Sequence, residues 1–378
     1  MKHIAILCGG SSYEHEVSIV TGIQVAAAID RTKYAFSFVY FDKHNDAFLI
    51  ENYDRKEHFA KNKRIPVSIL RKNGRVILKA QSLFGRSIAV DAFYLAFHGG
   101  SGESGSVQGL LELYDAPFTG TSQEGSVISM NKALTKEVLK NSGVRVLPWH
   151  SIISTSYAAN SKEAIAHILQ QLSLPIIIKP VHLGSSIAIS IAHTEVELEK
   201  HLNVATRVDS EILLEPALQN FTEYNVSVRT HNGKIELSPI EEPRRKEAFL
   251  SFADKYSNGS KKTGGKQTGG GMEMLDRTVP AQITQAMETL IRETAQEVYR
   301  SARLSGVVRI DFIYHENTLY CSEINPIPGS MSFYLWEASG EQFTDQISIA
   351  IEDAITRHSQ KIEVVPYHTD IVEKFVGS

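Results

Sequence analysis

Apolar residues come in short blocks along this chain, and their spacing changes from block to block. "HIAILCGG" holds a continuous apolar run of about five residues before Gly9-Gly10, which predicts a buried strand ending in a glycine turn. "EVSIVTGIQVAAAID" follows with the apolar spacing of a helix, and "YAFSFVYFD" predicts a second strand. This β-α-β rhythm implies a parallel sheet with a crossover helix. "VDAFYLAFHGG" is a further strand ending in glycines, and "VQGLLELYDAPFTG" predicts a short helix and a loop. Residues 1–122 therefore form a predicted α/β domain with two glycine-rich turns at strand ends, where open α/β sheets gather ligands.

Two further units follow. In the first, 123–218, "SVISMNKALTKEVLKNSGVRVLPW" predicts one amphipathic helix with Gly143 just past its end. "LPIIIKPVHLGSSIAIS" predicts strand, turn and strand, and "EILLEPAL" another apolar strand. In the second, 219–378, strands are expected at "EYNVSVRT" and "KIELSPIEE". "SNGSKKTGGKQTGGGMEM" lacks apolar periodicity and predicts a mobile loop, about 250–274, that orders over a ligand. The helix "AQITQAMETLIRETAQEVYRSAR", the hairpin "VVRIDFIYHENTLYCSEINP" and the C-terminal helix "FTDQISIAIEDAITRHS" complete the pattern, with no internal repeat.

Composition narrows the class. A chain of 378 residues exceeds one ordinary core, so two or three domains or two lobes around a cleft are expected. Net charge of -4 gives no basic field for nucleic acid. Cys8 and Cys321 lie far apart and form no metal-type pair, which fits a reducing cytosol. The N-terminal apolar run is too short for a signal-peptide core, and no segment is long and apolar enough to cross a membrane. A cytoplasmic protein acting on small molecules is expected.

Chemistry concentrates in the hairpin. Joining its strands by His315-Glu316-Asn317, with Tyr314 paired to Thr318, sets Asp311 opposite Cys321 and Arg309 opposite Glu323. Arg309, Asp311, Glu323 and Asn325 then share one face, and Val308, Ile310, Phe312 and Ile324 the other. A loop of different length would break this register. Two carboxylates and a carboxamide make a hard oxygen set suited to Mg²⁺ alongside phosphate oxygens; a solvated ion-pair cluster is the competing reading. The prolines after Asn325 stiffen the exit, so that Gly329 can bring its N–H close to a ligand. Lys179 ends the apolar run "IIIKP", where an ammonium needs a counter-charge. "HLGSS" after it is a turn able to cradle phosphate, and Lys132 sits early in the helix of the second unit. Together these point to a nucleoside triphosphate with metal. Neither "GSKKTGGKQT" nor "GGSSYE" matches the P-loop or dinucleotide pattern.

The ordered segments "GGSSYEHEVS", "HGGSGESGSVQGLLELYDAPFTGT", "MNKALTKEVL", "IIIKPVHLGSS", "VVRIDF", "SEINPIPGS" and "LWEASG" resemble the D-alanine–D-alanine ligases of the ATP-grasp superfamily over nearly the whole chain. The resemblance implies an ATP-grasp fold: an N-terminal parallel-sheet α/β domain and two α+β domains enclosing ATP. It implies that Glu14 meets the ammonium of the first D-alanine, with His98 nearby. Lys132 and Lys179 would contact ATP phosphates, Glu215, Ala217 and Leu218 would belong to the adenine-reading linker, and Glu223 would hold the ribose. Asp311, Glu323 and Asn325 would ligate two Mg²⁺ ions, with Mn²⁺ as a substitute. Arg309 and the Gly329 N–H would stabilise an oxyanion. Ser185 and Tyr256 would form a triad with Glu14 beside the second substrate, Lys255 would join the ATP site, and Ser185 would also serve the phosphate turn. A homodimer is one assembly the resemblance allows.

Four positions depart from the family's pattern. Ser104 replaces the aspartate of Gly-Glu-Asp-Gly, Leu250-Ser251-Phe252 replaces Tyr-Asp-Tyr, and Glu223 lies one residue further from Glu215. Tyr334-Leu335 stands where a Ser-Leu pair binds the second substrate's carboxylate. The expected reaction is formation of D-alanyl-D-alanine through an acyl phosphate for peptidoglycan synthesis. Rival readings are a ligase for D-lactate or D-serine, and a non-catalytic nucleotide-binding regulator. A cofactor carboxylase of the same superfamily lacks a supporting motif.

Overall fold

In the computed structural model, which describes residues 1–54, 56–60, 64–81, 85–244, 277–361 and 369–376, the first apolar block is a central strand. β1 (Lys2–Gly9) keeps Ile4 through Cys8 fully buried because it is covered on both faces. It pairs in parallel with β2 (Tyr34–Phe41) and β7 (Ala92–Leu95), and α1 (His15–Ala28) packs against it. The predicted parallel unit is present. The sequence pattern did not separate the extension beside it: β3 (Ala47–Leu49), β4 (Ile65–Lys72), β5 (Arg75–Ala80) and β6 (Ser87–Ala89) continue the sheet antiparallel, giving the order β6-β5-β4-β3-β2-β1-β7.

After β7, α2 (Gly100–Glu103) and α3 (Ser106–Leu113) carry the glycine-rich turn. The helix expected across 126–142 is two helices. α4 (Gln123–Met130) and α5 (Lys132–Asn141) break at Asn131, which takes an extended backbone. The Asn131 side chain accepts the Leu134 N–H at 2.8 Å, so an N-cap competes with helix continuation and wins. Lys132 thereby becomes the first residue of α5, with its backbone N–H on Val181 O at 3.3 Å. Both helices contribute to the core of the third sheet through Ile128 and Leu139.

A second sheet, in the order β10-β9-β11-β8, contains β8 (His150–Ile153), β9 (Ile176–Pro180), β10 (Ser190–Ala192) and β11 (Glu211–Pro216). The third runs β13-β12-β16-β17, from β12 (Thr222–His231), β13 (Lys234–Leu237), β16 (Val308–His315) and β17 (Thr318–Asn325). A two-stranded ribbon, β14 (Glu242–Pro243) with β15 (Arg277–Thr278), lies beyond them. The helix Phe343–Ser359 returns to the first sheet and buries Ile347 and Ile351 in its core.

The β16–β17 register differs from the expected one. His315 pairs with Thr318, and the turn is only Glu316-Asn317, both left-handed at φ 45° and 58°. Phe312 therefore lies opposite Cys321. Continued unbroken, this register would set Ser322 opposite Asp311 and turn Glu323 to the apolar face. A β-bulge between Asp311 and Phe312 absorbs one residue, so Asp311 meets Glu323 and Arg309 meets Asn325. The predicted polar face forms, by a different pairing.

Candidate active site

The ends of β9, β11, β12, β16 and β17 surround a cleft whose lining includes Lys132, Lys179, Glu215, Leu218, Glu223 and Glu323. Gly184 and Ser186 of the glycine-serine turn and Ala217 of the linker also face it. Lys179 is met by the counter-charge that its burial demands: its Nζ lies 2.5 Å from Glu215 Oε2. Burial by itself would raise the Glu215 carboxyl; Lys179, then Lys136, overturns this and brings it to about 2. Lys132 donates to Leu183 O at 2.7 Å and pairs with Glu323 Oε1 at 3.3 Å, so α5 delivers an ammonium to the hairpin's carboxylate.

On the hairpin face, Arg309 Nε and Nη2 grip the two Asp311 oxygens at 2.7 and 2.8 Å. Asn325 Nδ2 donates to Asp311 Oδ2 at 3.0 Å. Asp311 and Asn325 are thus in contact, and Glu323, two residues before Asn325 on β17, lies opposite Asp311. The donor set is two carboxylates and a carboxamide, whose oxygen comes forward by rotation of the amide, and it fits a hard divalent cation.

The turn "HLGSS" is built on strained backbone. Ser185, Ser186 and Ala188 all take positive φ, at 51°, 61° and 54°. Ser185 turns its hydroxyl to Glu14 and donates to Oε1, joining the glycine turn after β1 to the phosphate-type turn after β9. Glu14 is 8% exposed, and its carboxylate lies against Gly99 and Gly184, where an added Cβ would come within 2.9 and 3.1 Å of Oε2. His98 is fully enclosed, with Nε2 2.8 Å from Thr21 Oγ1, and burial pushes its pKa down to about 4. It is neutral at pH 7 and acts as a hydrogen-bonding group.

The exit from β17 is equally constrained. Gly329–Ser332 forms a tight turn in which Ser330, Met331 and Ser332 take φ of 47°, 56° and 52°. Three successive non-glycine residues in the left-handed region mark a segment held by its surroundings. Tyr334 then donates to Glu241 Oε2 at 3.0 Å, and the Arg277 guanidinium stands 4.3 Å from its ring centroid. Leu335 is fully buried. Lys255, Tyr256 and the loop expected at 250–274 lie outside the described residues.

Sequence reasoning missed Glu103, Lys136 and Glu241. Glu103 accepts the Gly99 N–H at 2.7 Å and the Ile327 N–H at 3.2 Å, tying the first unit to the exit of β17. Burial and then the Glu14 charge push its carboxyl up to about 8. Its legible signal in the sequence is the motif "SGESG". A larger cavity of about 710 Å³ lies along the first sheet beside Tyr34, Phe36, Phe38 and Tyr53. It offers aromatic surface away from these lysines and carboxylates, so the cleft is the candidate active site.

Comparison with known proteins bears on this geometry. The family patterns described as D-ala D-ala ligase N-terminus and D-ala D-ala ligase C-terminus match residues 3–121 and 138–352. A protein named D-alanine--D-alanine ligase from Wolinella succinogenes is 35% identical over 339 residues, covering 89% of this chain and 90% of the relative. One of the same name from Thermosipho melanesiensis is 31% identical and spans 100% of both chains. The solved D-alanine-D-alanine ligase from Coxiella burnetii superposes with a TM-score of 0.77 at 28% identity, covering 95% of this chain and 97% of that one.

Proposed function

We propose, for a chain that belongs to the D-alanine–D-alanine ligase family, that it joins two D-alanines with cleavage of ATP to ADP and phosphate. The product, D-alanyl-D-alanine, would supply cytoplasmic peptidoglycan precursor synthesis. The observation that carries this reading is the contact between Lys132 and Glu323 at 3.3 Å, in a cleft that also presents Lys179 and Glu223. It sets ammonium groups, carboxylates and a glycine-serine turn at one end of a linker-bounded pocket. That is the arrangement a metal-bound triphosphate requires. The division into units at 1–122, 123–218 and 219–378 belongs to the same proposal.

A carboxylate is a poor acylating agent. In the first step a carboxylate oxygen of the first D-alanine attacks the γ-phosphorus, the bond to the β–γ bridging oxygen breaks, and ADP leaves. Lys132 and Lys179 neutralise charge that moves onto the departing oxygens. Glu14 faces the first substrate's ammonium, and neutral His98 supplies a hydrogen bond beside it. Asp311, Glu323 and Asn325 would hold two Mg²⁺ or Mn²⁺ ions, which supply charge neutralisation at the phosphates.

In the second step the free amine of the second D-alanine attacks the acyl phosphate's carbonyl carbon. The C–N bond forms first to give a tetrahedral oxyanion; its collapse breaks the C–O bond to phosphate, and the nitrogen releases a proton that the leaving phosphate can accept. Arg309 and the Gly329 N–H would stabilise the tetrahedral oxyanion. Ser185 orients Glu14, and Tyr256 would complete that triad. Lys255 would join the ATP contacts, with the Glu215–Leu218 linker reading adenine and Glu223 the ribose. Tyr334 would border the second substrate.

Phosphate release measured across D-alanine, D-serine and D-lactate, with product mass, tests the assignment. ATP-dependent release with D-alanine and a dipeptide mass is expected. ATP binding without phosphate release on any of the three would replace the reading with a nucleotide-binding regulator.

A further inference from the structure

We infer that Lys136 is a positioning residue that sets the charge the nucleotide cleft offers to phosphate, by neutralising Glu215 from behind so that Lys179 keeps its positive charge for the ligand. This rests on the ATP reading of the cleft. Lys136 lies on α5, one turn beyond Lys132, and points into the protein where Lys132 points into the cleft. Its side chain is 4% exposed and that of Glu215 2%, against 14% for Lys179. Lys136 Nζ pairs with Glu215 Oε1, while Lys179 takes Oε2 at 2.5 Å. Lys136 Nζ also donates to Leu147 O at 3.3 Å and lies 5.6 Å from the centroid of the Trp149 ring.

The charges then sum simply. One carboxylate lies between two ammonium groups, leaving one net positive charge, and the ammonium that reaches the cleft is Lys179. Removing Lys136 would leave Glu215 and Lys179 as a neutral pair, with Lys179 held by a buried carboxylate that has lost its other partner. The cleft would keep its shape and lose one unit of positive charge. A lysine kept wholly inside beside a carboxylate is a costly arrangement, and this role accounts for it.

The test is a charge-balance pair, read by calorimetric titration with Mg²⁺-ATP beside thermal melts. Lys136→Met should weaken ATP binding by about tenfold, the loss of one unit charge near a triphosphate. Lys136→Arg keeps a positive charge behind Glu215 and should hold affinity within about threefold of wild type. The Michaelis constant for D-alanine should stay unchanged in both. A folded Lys136→Arg that binds ATP as weakly as Lys136→Met overturns the inference and leaves Lys136 a packing residue. Unchanged affinity in folded Lys136→Met does the same. Wild-type protein without ATP affinity overturns the functional reading, and this inference with it.

Discussion

Ser185 donates its hydroxyl proton to Glu14 across 171 positions of sequence, and this bond fastens the first unit's glycine turn to the phosphate-type turn of the second. Glu14 is buried, so an unsatisfied lone pair on its carboxylate carries a real cost. Ser185→Ala should lower kcat/KM for D-alanine by roughly ten- to a hundredfold, from about 1–3 kcal/mol of lost hydrogen bonding. The KM for ATP should move little. Steady-state kinetics with each substrate varied in turn checks this; equal losses on both substrates would assign Ser185 to the phosphate turn alone.

Glu323→Gln keeps shape and removes a formal charge from the hairpin face. Its ion pair with Lys132 borders the cleft, and the Glu323 side chain is 37% exposed, so the fold should melt at nearly the wild-type temperature. Turnover should collapse, because the oxygen set loses a carboxylate. Near-normal turnover at ordinary Mg²⁺ would remove Glu323 from the metal-binding role.

His98 gives a pH dependence with a defined sign. Burial lowers its folded pKa from 6.5 to about 4, with the Ile327 backbone opposing weakly. The stability that comes from keeping it neutral is present above pH 6.5. It is lost as pH falls from 6.5 through 4, because the unfolded chain takes up the proton first. The full effect is roughly 3 kcal/mol for a wholly enclosed imidazole. Urea unfolding of wild type should therefore decline more steeply over that interval than that of His98→Gln. Parallel declines would refute the buried neutral imidazole.

Ala188 occupies the left-handed region at φ 54° with a Cβ that disfavours it. Ala188→Gly should relieve strain of about 1 kcal/mol, less the added freedom of the unfolded chain. A rise of about 0.5 kcal/mol in unfolding free energy is the expected net. Denaturant titration measures it, and a loss of stability would show that the alanine methyl packs usefully.

The sequence by itself determined the elements whose signal is local. The run Ile4–Cys8 had to be covered on both sides, and period-two alternation put Arg309 with Asp311 on one face of the first hairpin strand and Glu323 with Asn325 on one face of the second, so that a matching register gives all four a shared face. Lys179, at the end of an apolar strand, required a counter-charge. Tertiary structure decided what local periodicity does not encode. The bulge beside Asp311 reconciles a two-residue turn with that shared face, and either register satisfies the alternation of each strand taken alone. Asn131 splits a continuous helical pattern because its cap, and Val181 O waiting for the next N–H, outweigh one more helical turn. Glu103 reads as a surface acid until Ile327, 224 positions away, brings a backbone N–H to it. Lys136 reads as a solvated helix lysine until β11 places Glu215 beneath it. For Lys132, Glu103 and Lys136 the partner (Val181, Ile327 and Glu215) is distant along the chain, and burial, which makes it obligatory, exists only once the chain has folded.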